Sequence, residues 1–492
     1  MKIFLRNCIK KEKATGICFI PLIFMLLYSN NAHAQKIHFL LLDKRVIESA
    51  KNAKLTVGTV EKHAANPLFV EDKLWEKRFD NLYGNVIYDK EEEIYKCWYS
   101  PFIVDSSALG MSLEERDSKK YRAPRTREMA ICYASSIDGI TWEKPEMGLV
   151  EFEGSKANNI LWRGISKEDS TRDSEWEKKE LWSGPHGSGV FKDYQDPDPK
   201  RRYKAIIKMN ILSVAFSEDG IHWGDAIACP EADVAGDTHN NAFWAPTLNK
   251  YVGITRSWGS EKGRQVVRTE SEDFLKWTES KLVLEGIDKN HQTYAMPVFY
   301  YGGVYIGLVA IHQQDSDRVW TELTWSPDTK NWYRIDPGTP LIPCSDKVLD
   351  YDYGCVYPCA YPVFLEDEIR LYYGGSDYLH FGWRNGSLCL ATLRPDGFAG
   401  YEQVSGNEPA ILITVSIPYE GKPIQITGDV HEGGSIKVSV VDENGNTVAK
   451  SAHLTETVTN KELSFDKIIK LENVQLKFDL VSSKLYSFRF AE

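Results

Sequence analysis

A seven-residue pattern, Ser-x-Asp-x-x-x-Trp, recurs along the chain and constrains the fold more than any other feature of the sequence. Each copy follows a β-rich run, and successive copies start about 55 residues apart, or about 80 for the first interval, which is a spacing typical of propeller blades. The full copies occupy residues 136–142, 217–223, 271–277 and 326–332, with a degenerate fifth at 394–398.

The residue types of the pattern indicate a structural role. Ser and Asp side chains accept hydrogen bonds from nearby backbone N–H groups and stabilise tight turns. The Trp four residues after each Asp can fold back onto the apolar face of its unit. We therefore interpret the repeated aspartates as turn residues and not as catalytic groups.

The remaining sequence divides into a long repeat region and a shorter C-terminal part. Two further strand-like runs precede each motif, so that five blades of about four strands fit the repeat region. After a polar stretch, residues 411–492 alternate in hydropathy, and Glu443-Asn444-Gly445-Asn446 is a strong hairpin signal. We predict an all-β protein: a five-bladed β-propeller over 35–400, followed by a C-terminal β-sandwich over 405–492.

The first 34 residues have the pattern of a signal peptide. Basic residues such as Lys2 and Arg6 precede an apolar run over 17–28, and Ala32-His33-Ala34 fits a cleavage site. The run is shorter than the roughly 20 residues that cross a membrane, so we predict cleavage after Ala34, no membrane span, and a periplasmic or secreted protein. The net charge of −11 argues against general affinity for nucleic acid.

Several stretches resemble propeller glycosidases. These stretches are 66–69, 78–89 and 95–100, together with 196–204, 372–377 and 485–488. A five-bladed propeller with a C-terminal sandwich resembles glycoside hydrolase family 32, and the propeller alone resembles the wider furanosidase group that includes family 43. The resemblance implies a glycoside hydrolase. Residues 78–85 stand where family 32 has Trp-x-Asn-Asp-Pro-Asn-Gly, and its Arg-Asp-Pro and Glu-Cys motifs are absent.

Polar residues just before each innermost strand are the first candidates for a site, because those positions line the mouth of a propeller funnel. Glycoside cleavage needs two carboxyl groups there. The candidates are Asp80 and Asn81 in the first unit, His186 in the second, Asp237, His239 and Asn240 in the third, His291 and Tyr294 in the fourth, and Asp352 in the fifth.

Four more residues lie further along the units. Glu322 is surrounded by apolar residues, and half-burial there would raise its pKa and suit a general acid. Arg256 can hold a carboxylate or a charged transition state. Asp377 and His380 end a strand of the fifth unit, where they can contact sugar hydroxyls.

We expect an exported enzyme that cleaves a furanose-type or unusual glycan, with an oligo- or polysaccharide as substrate and no cofactor. Asp80 would be nucleophile or base, Glu322 or Asp352 the acid, and Asp237 a stabiliser of the transition state. Two alternatives stay open. One is a non-catalytic carbohydrate-binding propeller. The other is a lyase or metal-dependent enzyme in which a divalent ion is held by histidines of different units: His186, His239, His291, His312 and His380.

Overall fold

The structure is a computed structural model that describes residues 38–124, 126–164, 181–259 and 261–491. The predicted signal peptide, 1–34, lies outside the described residues. The described chain is almost entirely β-structure, with one α-helix at Leu113–Ser118 and short 3-10 turns at Lys44–Val46, Pro199–Arg201 and Pro230–Ala232. No helix within these ranges has the length and apolar character to cross a membrane.

Between residues 85 and 393 the strands form five groups in chain order, each built mainly of antiparallel pairs. The first group consists of Asn85–Asp89, Ile94–Tyr99, Phe102–Val104, Thr126–Ser136, Ile160–Arg163 and Leu181–Ser183. The second consists of His186–Lys192, Tyr203–Lys208, Leu212–Ser217 and Ile227–Ala228. The third consists of Asn241–Ala245, Lys250–Gly259, Gly263–Ser271 and Lys281–Glu285. The fourth consists of His291–Ala295, Val298–Tyr301, Val304–Gln313, Arg318–Ser326 and Tyr333–Arg334. The fifth consists of Cys355–Pro358, Val363–Phe364, Ile369–Ser376 and Gly386–Leu393.

The fifth group is completed by the N-terminal part of the chain. Glu61–Lys62 and Phe69–Val70 both pair with Gly386–Leu393, on the side away from Ile369–Ser376. One parallel pairing, between Val319 and Cys355, joins the fourth and fifth groups into a single sheet. These pairings hold residues 61–70 against residues 386–393, which are distant in sequence.

The repeated motif forms the predicted turn. Asp138 Oδ1 accepts hydrogen bonds from the backbone N–H groups of Ile140 and Thr141, both at 2.7 Å, and Gly139 N–H donates to Ser136 Oγ at 2.8 Å. Asp219, Asp273 and Asp328 make the equivalent bonds. The motif tryptophans pack into the cores of the sheets: Trp142, Trp223, Trp277 and Trp332. The structural interpretation of these aspartates is confirmed.

The C-terminal part forms a ten-stranded sheet that also takes up the N-terminal strands. Its strands are His38–Leu40, Ile47–Lys51, Ala53–Val57, Ala399–Gln403, Ala410–Thr414, Ile417–Pro418, Ile424–Val441, Thr447–Lys450, Val458–Glu462 and Asn473–Phe490. This differs from the predicted boundary at 35, because residues 38–57 pair with C-terminal strands. Leu40 and Leu42, both fully buried, pack in one core with Phe299 and Ile306 of the fourth group.

Candidate functional site

Asp80 lies in the loop before the strand Asn85–Asp89, and two arginines hold it there. Arg384 Nη2 donates to Asp80 Oδ1 at 2.7 Å, and Arg78 Nε donates to the same oxygen at 3.2 Å. Burial alone would raise the pKa of Asp80, but the charges of Arg384 and Arg78 outweigh it and lower the pKa to about 2. The side chain keeps 20% of its surface exposed, so an ionised carboxylate faces open space.

The backbone of this loop is unusual. Asp80, Leu82 and Tyr83 all have positive φ, between 48° and 61°, in the left-handed region that non-glycine residues rarely adopt. Such conformations persist only where surrounding contacts enforce them, and they are concentrated at functional sites. The loop is held at Asn81, which is 1% exposed and accepts a 3.0 Å bond from Arg384.

Asp237 lies in the loop before the strand Asn241–Ala245, and it also faces cations. Arg256 Nη2 donates to Asp237 Oδ2 at 2.6 Å, while His186 Nδ1 and Lys208 Nζ lie 3.5 and 3.7 Å from Oδ1. Burial opposes ionisation of Asp237, but these neighbours outweigh it and hold its pKa well below the usual range. Burial lowers the pKa of His186 to about 3, so its imidazole is neutral at neutral pH. The Asp237 side chain is 39% exposed.

A buried network connects the two carboxylates. Asn81 Nδ2 donates to the hydroxyls of Tyr83 and Tyr294, at 2.8 and 3.0 Å. The Arg256 guanidinium lies 5.1 Å from the Tyr294 ring centroid, and the Tyr83 ring packs edge-on against His186. The charges of both Asp80 and Asp237 act on the pKa of His186 and on that of Tyr83. The structure therefore brings together two carboxylates that the sequence placed in different units.

An exposed tryptophan lies beside this network. Trp258 keeps 63% of its surface exposed and is paired in register with Arg264 on the neighbouring strand. The guanidinium groups of Arg256 and Arg264 lie 5.5 and 4.9 Å from its ring centroid. A flat apolar ring beside hydrogen-bonding groups is suited to stacking against the face of a sugar.

His380 is the predicted site residue of the fifth group that reaches the network. Its ring lies 5.0 Å from the Tyr294 ring and 4.4 Å from that of His312, and its Nδ1 is 2.7 Å from the Tyr357 hydroxyl oxygen. Burial and the charge of Arg384 lower the pKa of His380. Phe381, 58% exposed, follows it at the surface.

Three other predicted binding residues make their contacts within the protein. Asn240 is fully buried and bonds to Thr255 and to three backbone carbonyls. His239 is 3% exposed, packs against Tyr83 and has a pKa lowered by burial to about 4. Asp377 accepts a 2.8 Å bond from Arg116, which lies on the helix Leu113–Ser118. These contacts hold loops in place.

The two predicted general acids do not join the network. Glu322 is 1% exposed and binds His291 at 2.7 Å, with Arg334 at 3.6 Å. Burial would raise the pKa of Glu322, but the bond to His291 and its charge outweigh burial, so the pKa is lowered and the predicted rise is wrong. Asp352 is fully buried against Lys62 at 2.6 Å and Tyr373 at 2.8 Å. Both carboxylates are structural ion-pair partners.

The five histidines considered for a metal ion do not converge on one point. His291 binds Glu322, whereas His186 faces Asp237 and His239 packs near Asn85. His312 and His380 are neighbours, and Asp317 holds His312 at 3.0 Å. In the ranges that the structure describes, no three His, Cys, Asp or Glu side chains form a group that could hold an ion.

The sequence search missed four residues of the site. Arg384, Arg264 and Trp258 are central to the geometry, and Tyr83 lies between His186 and His239. Their positions within strands and after loops carry no motif. Trp258 alone had a signal, because it lies two residues after Arg256 on the same face of a strand.

No protein family and no curated protein matches the sequence. Solved structures similar to this chain include one from work on the GH130 family of mannoside phosphorylases, which contains glycoside hydrolases that target β-1,2 mannosidic linkages in Candida mannan (TM-score 0.46, 15% identity, 69% of this chain and 94% of that one). A glycosyl hydrolase from Bacteroides ovatus is similar over 68% of this chain and 93% of its own, with TM-score 0.45 and 14% identity. An N-acetylgalactosamine deacetylase from F. plautii is similar over 70% of this chain and 96% of its own, with TM-score 0.43 and 12% identity.

Proposed function

We propose that the protein is an exported glycoside hydrolase-like enzyme in which Asp80 and Asp237 are the carboxylate pair. One observation carries the proposal: two partly exposed, ionised aspartates from different strand groups face one buried network, beside the exposed ring of Trp258. Glycoside cleavage uses a pair of carboxyl groups, one of which is an ionised nucleophile or base. The proposed architecture is a five-bladed β-propeller whose blades are the five strand groups, with the site at its centre.

The lowered pKa values make both members of the pair anions, and we propose a different role for each. Asp80, with a pKa of about 2, is an anion at neutral pH and serves as nucleophile or base. Asp237 is also an anion, so it stabilises the positive charge that develops on the sugar in the transition state. Neither group carries a proton for the leaving oxygen. Substrates with acidic leaving groups, such as aryl furanosides, should therefore be cleaved fastest.

The experiment that tests this function is a screen of the purified protein against plant and microbial polysaccharides and aryl furanosides, with released sugar as the readout. It is run with and without EDTA, and with the variants Asp80→Asn and Asp237→Asn. Release that resists EDTA and is lost in both variants supports the proposal. Release abolished by EDTA would contradict it and favour metal-dependent chemistry.

A second candidate function is a carbohydrate-binding protein without turnover. The arginines that clamp Asp80 and Asp237 favour it, because a clamped carboxylate can accept hydrogen bonds from sugar hydroxyls without reacting. Retention on one glycan in an affinity gel, with no sugar released from any substrate, would establish this function in place of hydrolysis. The proposed location, periplasmic or secreted, rests on the signal-like residues 1–34.

A further inference from the structure

The site contains more buried positive charge than the catalytic pair needs. Four arginines are each at most 7% exposed, and three of them bond to Asp80 or Asp237, the two carboxylates of the proposed pair. Their charges act together, since Arg384, Arg264 and Arg78 all lower the pKa of His380. The whole chain, in contrast, has a net charge of −11. The four arginines are Arg78, Arg256, Arg264 and Arg384.

Of these four arginines, Arg264 is the one that bonds to no carboxylate in the part of the chain that the structure describes. Among the described residues, its side chain has one hydrogen bond, in which Nη1 donates to the neutral amide oxygen of Gln292 at 2.9 Å. Within the described ranges, the buried Nε of Arg264 has no hydrogen-bond acceptor, and neither do Nε and Nη1 of Arg256. Burying a charge without a counter-charge is costly, so an uncompensated guanidinium at a site indicates a missing anion.

The two guanidinium groups lie next to each other. Arg256 and Arg264 stack on the same two rings, at 5.1 and 5.0 Å from the Tyr294 centroid and 5.5 and 4.9 Å from the Trp258 centroid. Asp237 bonds directly to Arg256 and acts on Arg264 only through its charge at longer range, so Arg264 has no carboxylate bonded to it among the described residues. A planar guanidinium with free N–H groups matches the two oxygens of a carboxylate or the face of a phosphate.

We propose that Arg264, together with Arg256, binds an oxyanion of the substrate, namely the carboxylate of a uronic acid residue. The exposed Trp258 ring supports a sugar-borne anion, because it offers a stacking surface next to the guanidinium groups that free phosphate does not need. This inference rests on the proposed carbohydrate-processing function and names its substrate class.

The test measures binding by calorimetry with four probes: D-galacturonate, D-glucuronate, and the methyl esters of both acids. The esters keep the ring and lose the charge. At least one acid is expected to bind about tenfold or more tightly than its ester, with affinity that falls as salt rises. Inorganic phosphate is titrated as a separate arm.

Variants assign the effect to Arg264. Arg264→Gln removes an uncompensated charge, so it should fold and should lose the preference for the acid over the ester. Arg264→Lys should keep part of that preference. The control is Lys461→Gln, because it removes one exposed positive charge from the strand Val458–Glu462 of the ten-stranded sheet. It should keep the full preference.

Three outcomes overturn the inference: equal binding of acid and ester, no binding of either acid, or tight binding of phosphate alone, which would assign the anion to free phosphate. The proposed function and this inference can fail independently, and the results distinguish the two. Acid-selective binding that depends on Arg264, with no sugar released from any uronate-containing glycan, would uphold the inference and contradict hydrolysis. Release of sugar from neutral furanosides without acid-selective binding would support hydrolysis and contradict the inference.

Discussion

Asp80 and Asp237 both combine partial exposure with a hydrogen bond from a buried arginine. Replacing either by Asn keeps its shape and removes its charge, so turnover should fall by about a hundredfold to ten-thousandfold. The measurement is kcat for sugar release. Asp138→Asn is the control, because Asn can still accept the backbone bonds of that turn. Unchanged turnover in both site variants would refute the assignment.

The lowered pKa values predict the shape of the pH profile. Asp80, with a pKa of about 2, and His186, with a pKa of about 3, do not change protonation between about pH 4 and pH 7. A plot of kcat/KM against pH should therefore show no change between about pH 4 and pH 7 that arises from these groups. Arg384→Gln should raise the pKa of Asp80 and move the loss of activity to higher pH, whereas Arg384→Lys should move it less. An inflection between about pH 5 and pH 7 in the unmodified protein would contradict this reasoning.

For individual residues, the sequence predicted where the site residues lie better than what each of them does. Asp80 and Asp237 could be found because each precedes the first strand of its group. Glu322 could not be judged, because its environment depends on His291 and Arg334, which approach it from other strands. Asp352 similarly meets Lys62 from the opposite end of the repeat region. Such long-range ion pairs leave no local pattern.

Among the elements, the repeated turn gives a prediction about stability without function. Asp219 accepts bonds from two backbone N–H groups, and its pKa is about 2 because these bonds and His222 outweigh its burial. Asp219→Ala should lower the free energy of unfolding by about 1 kcal/mol, as measured in urea. Asp219→Asn should lose less, since its amide oxygen still accepts. A change in substrate preference in either variant would contradict a purely structural role.

Glu71, directly after the strand Phe69–Val70, has a buried carboxyl group. Glu71 Oε1 accepts the backbone N–H groups of Phe79 and Gly386, at 2.5 and 3.1 Å, and burial raises its pKa to about 8. The folded state then binds a proton that the unfolded state releases above about pH 4.5, so stability falls as pH rises from there to about 8.

Glu71→Gln should remove this dependence. The amide oxygen keeps both bonds without a charge, so the melting temperature of the variant should exceed that of the unmodified protein by a few degrees at about pH 8. The difference should shrink toward pH 5. Thermal unfolding across this range is the measurement. A constant difference at every pH would show that Glu71 is not protonated in the folded protein.

The elements were the most predictable part of the molecule, because the motif repeats and its turn chemistry is local. Each full motif follows a long strand of its group, and the strands between residues 85 and 393 fall into five groups in chain order, two of which share one sheet. The destination of residues 38–57 was not predictable in the same way. Short N-terminal strands such as Ala53–Val57 pair with Ala399–Gln403, and alternating hydropathy does not encode so distant a partner.

At the scale of the whole molecule, Asp396 connects the repeat region with the ten-stranded sheet formed by the N- and C-terminal strands, here called the terminal sheet. It belongs to the degenerate fifth motif and is fully buried. Its carboxylate binds His38 at 3.1 Å, Tyr301 at 2.5 Å, and Ser487 and Arg489 at 2.5 and 2.8 Å. These partners come from the first strand, the fourth group and the last strand. The terminal sheet and the repeat region therefore share polar contacts as well as one apolar core.

This arrangement predicts that residues 38–491 unfold as one cooperative unit. Asp396→Ala would remove the hydrogen bonds to four side chains, including that of the partly exposed Arg489, and should lower the free energy of unfolding by about 2–4 kcal/mol. Tyr301→Phe and Ser487→Ala, which each remove one hydrogen bond, should cost about 1 kcal/mol. Because burial is outweighed by His38 and the hydroxyl bonds, the pKa of Asp396 is lowered, so its contribution is present above about pH 4 and fades below. Calorimetry should show a single transition, and two separate transitions would establish that the terminal sheet is an independent domain.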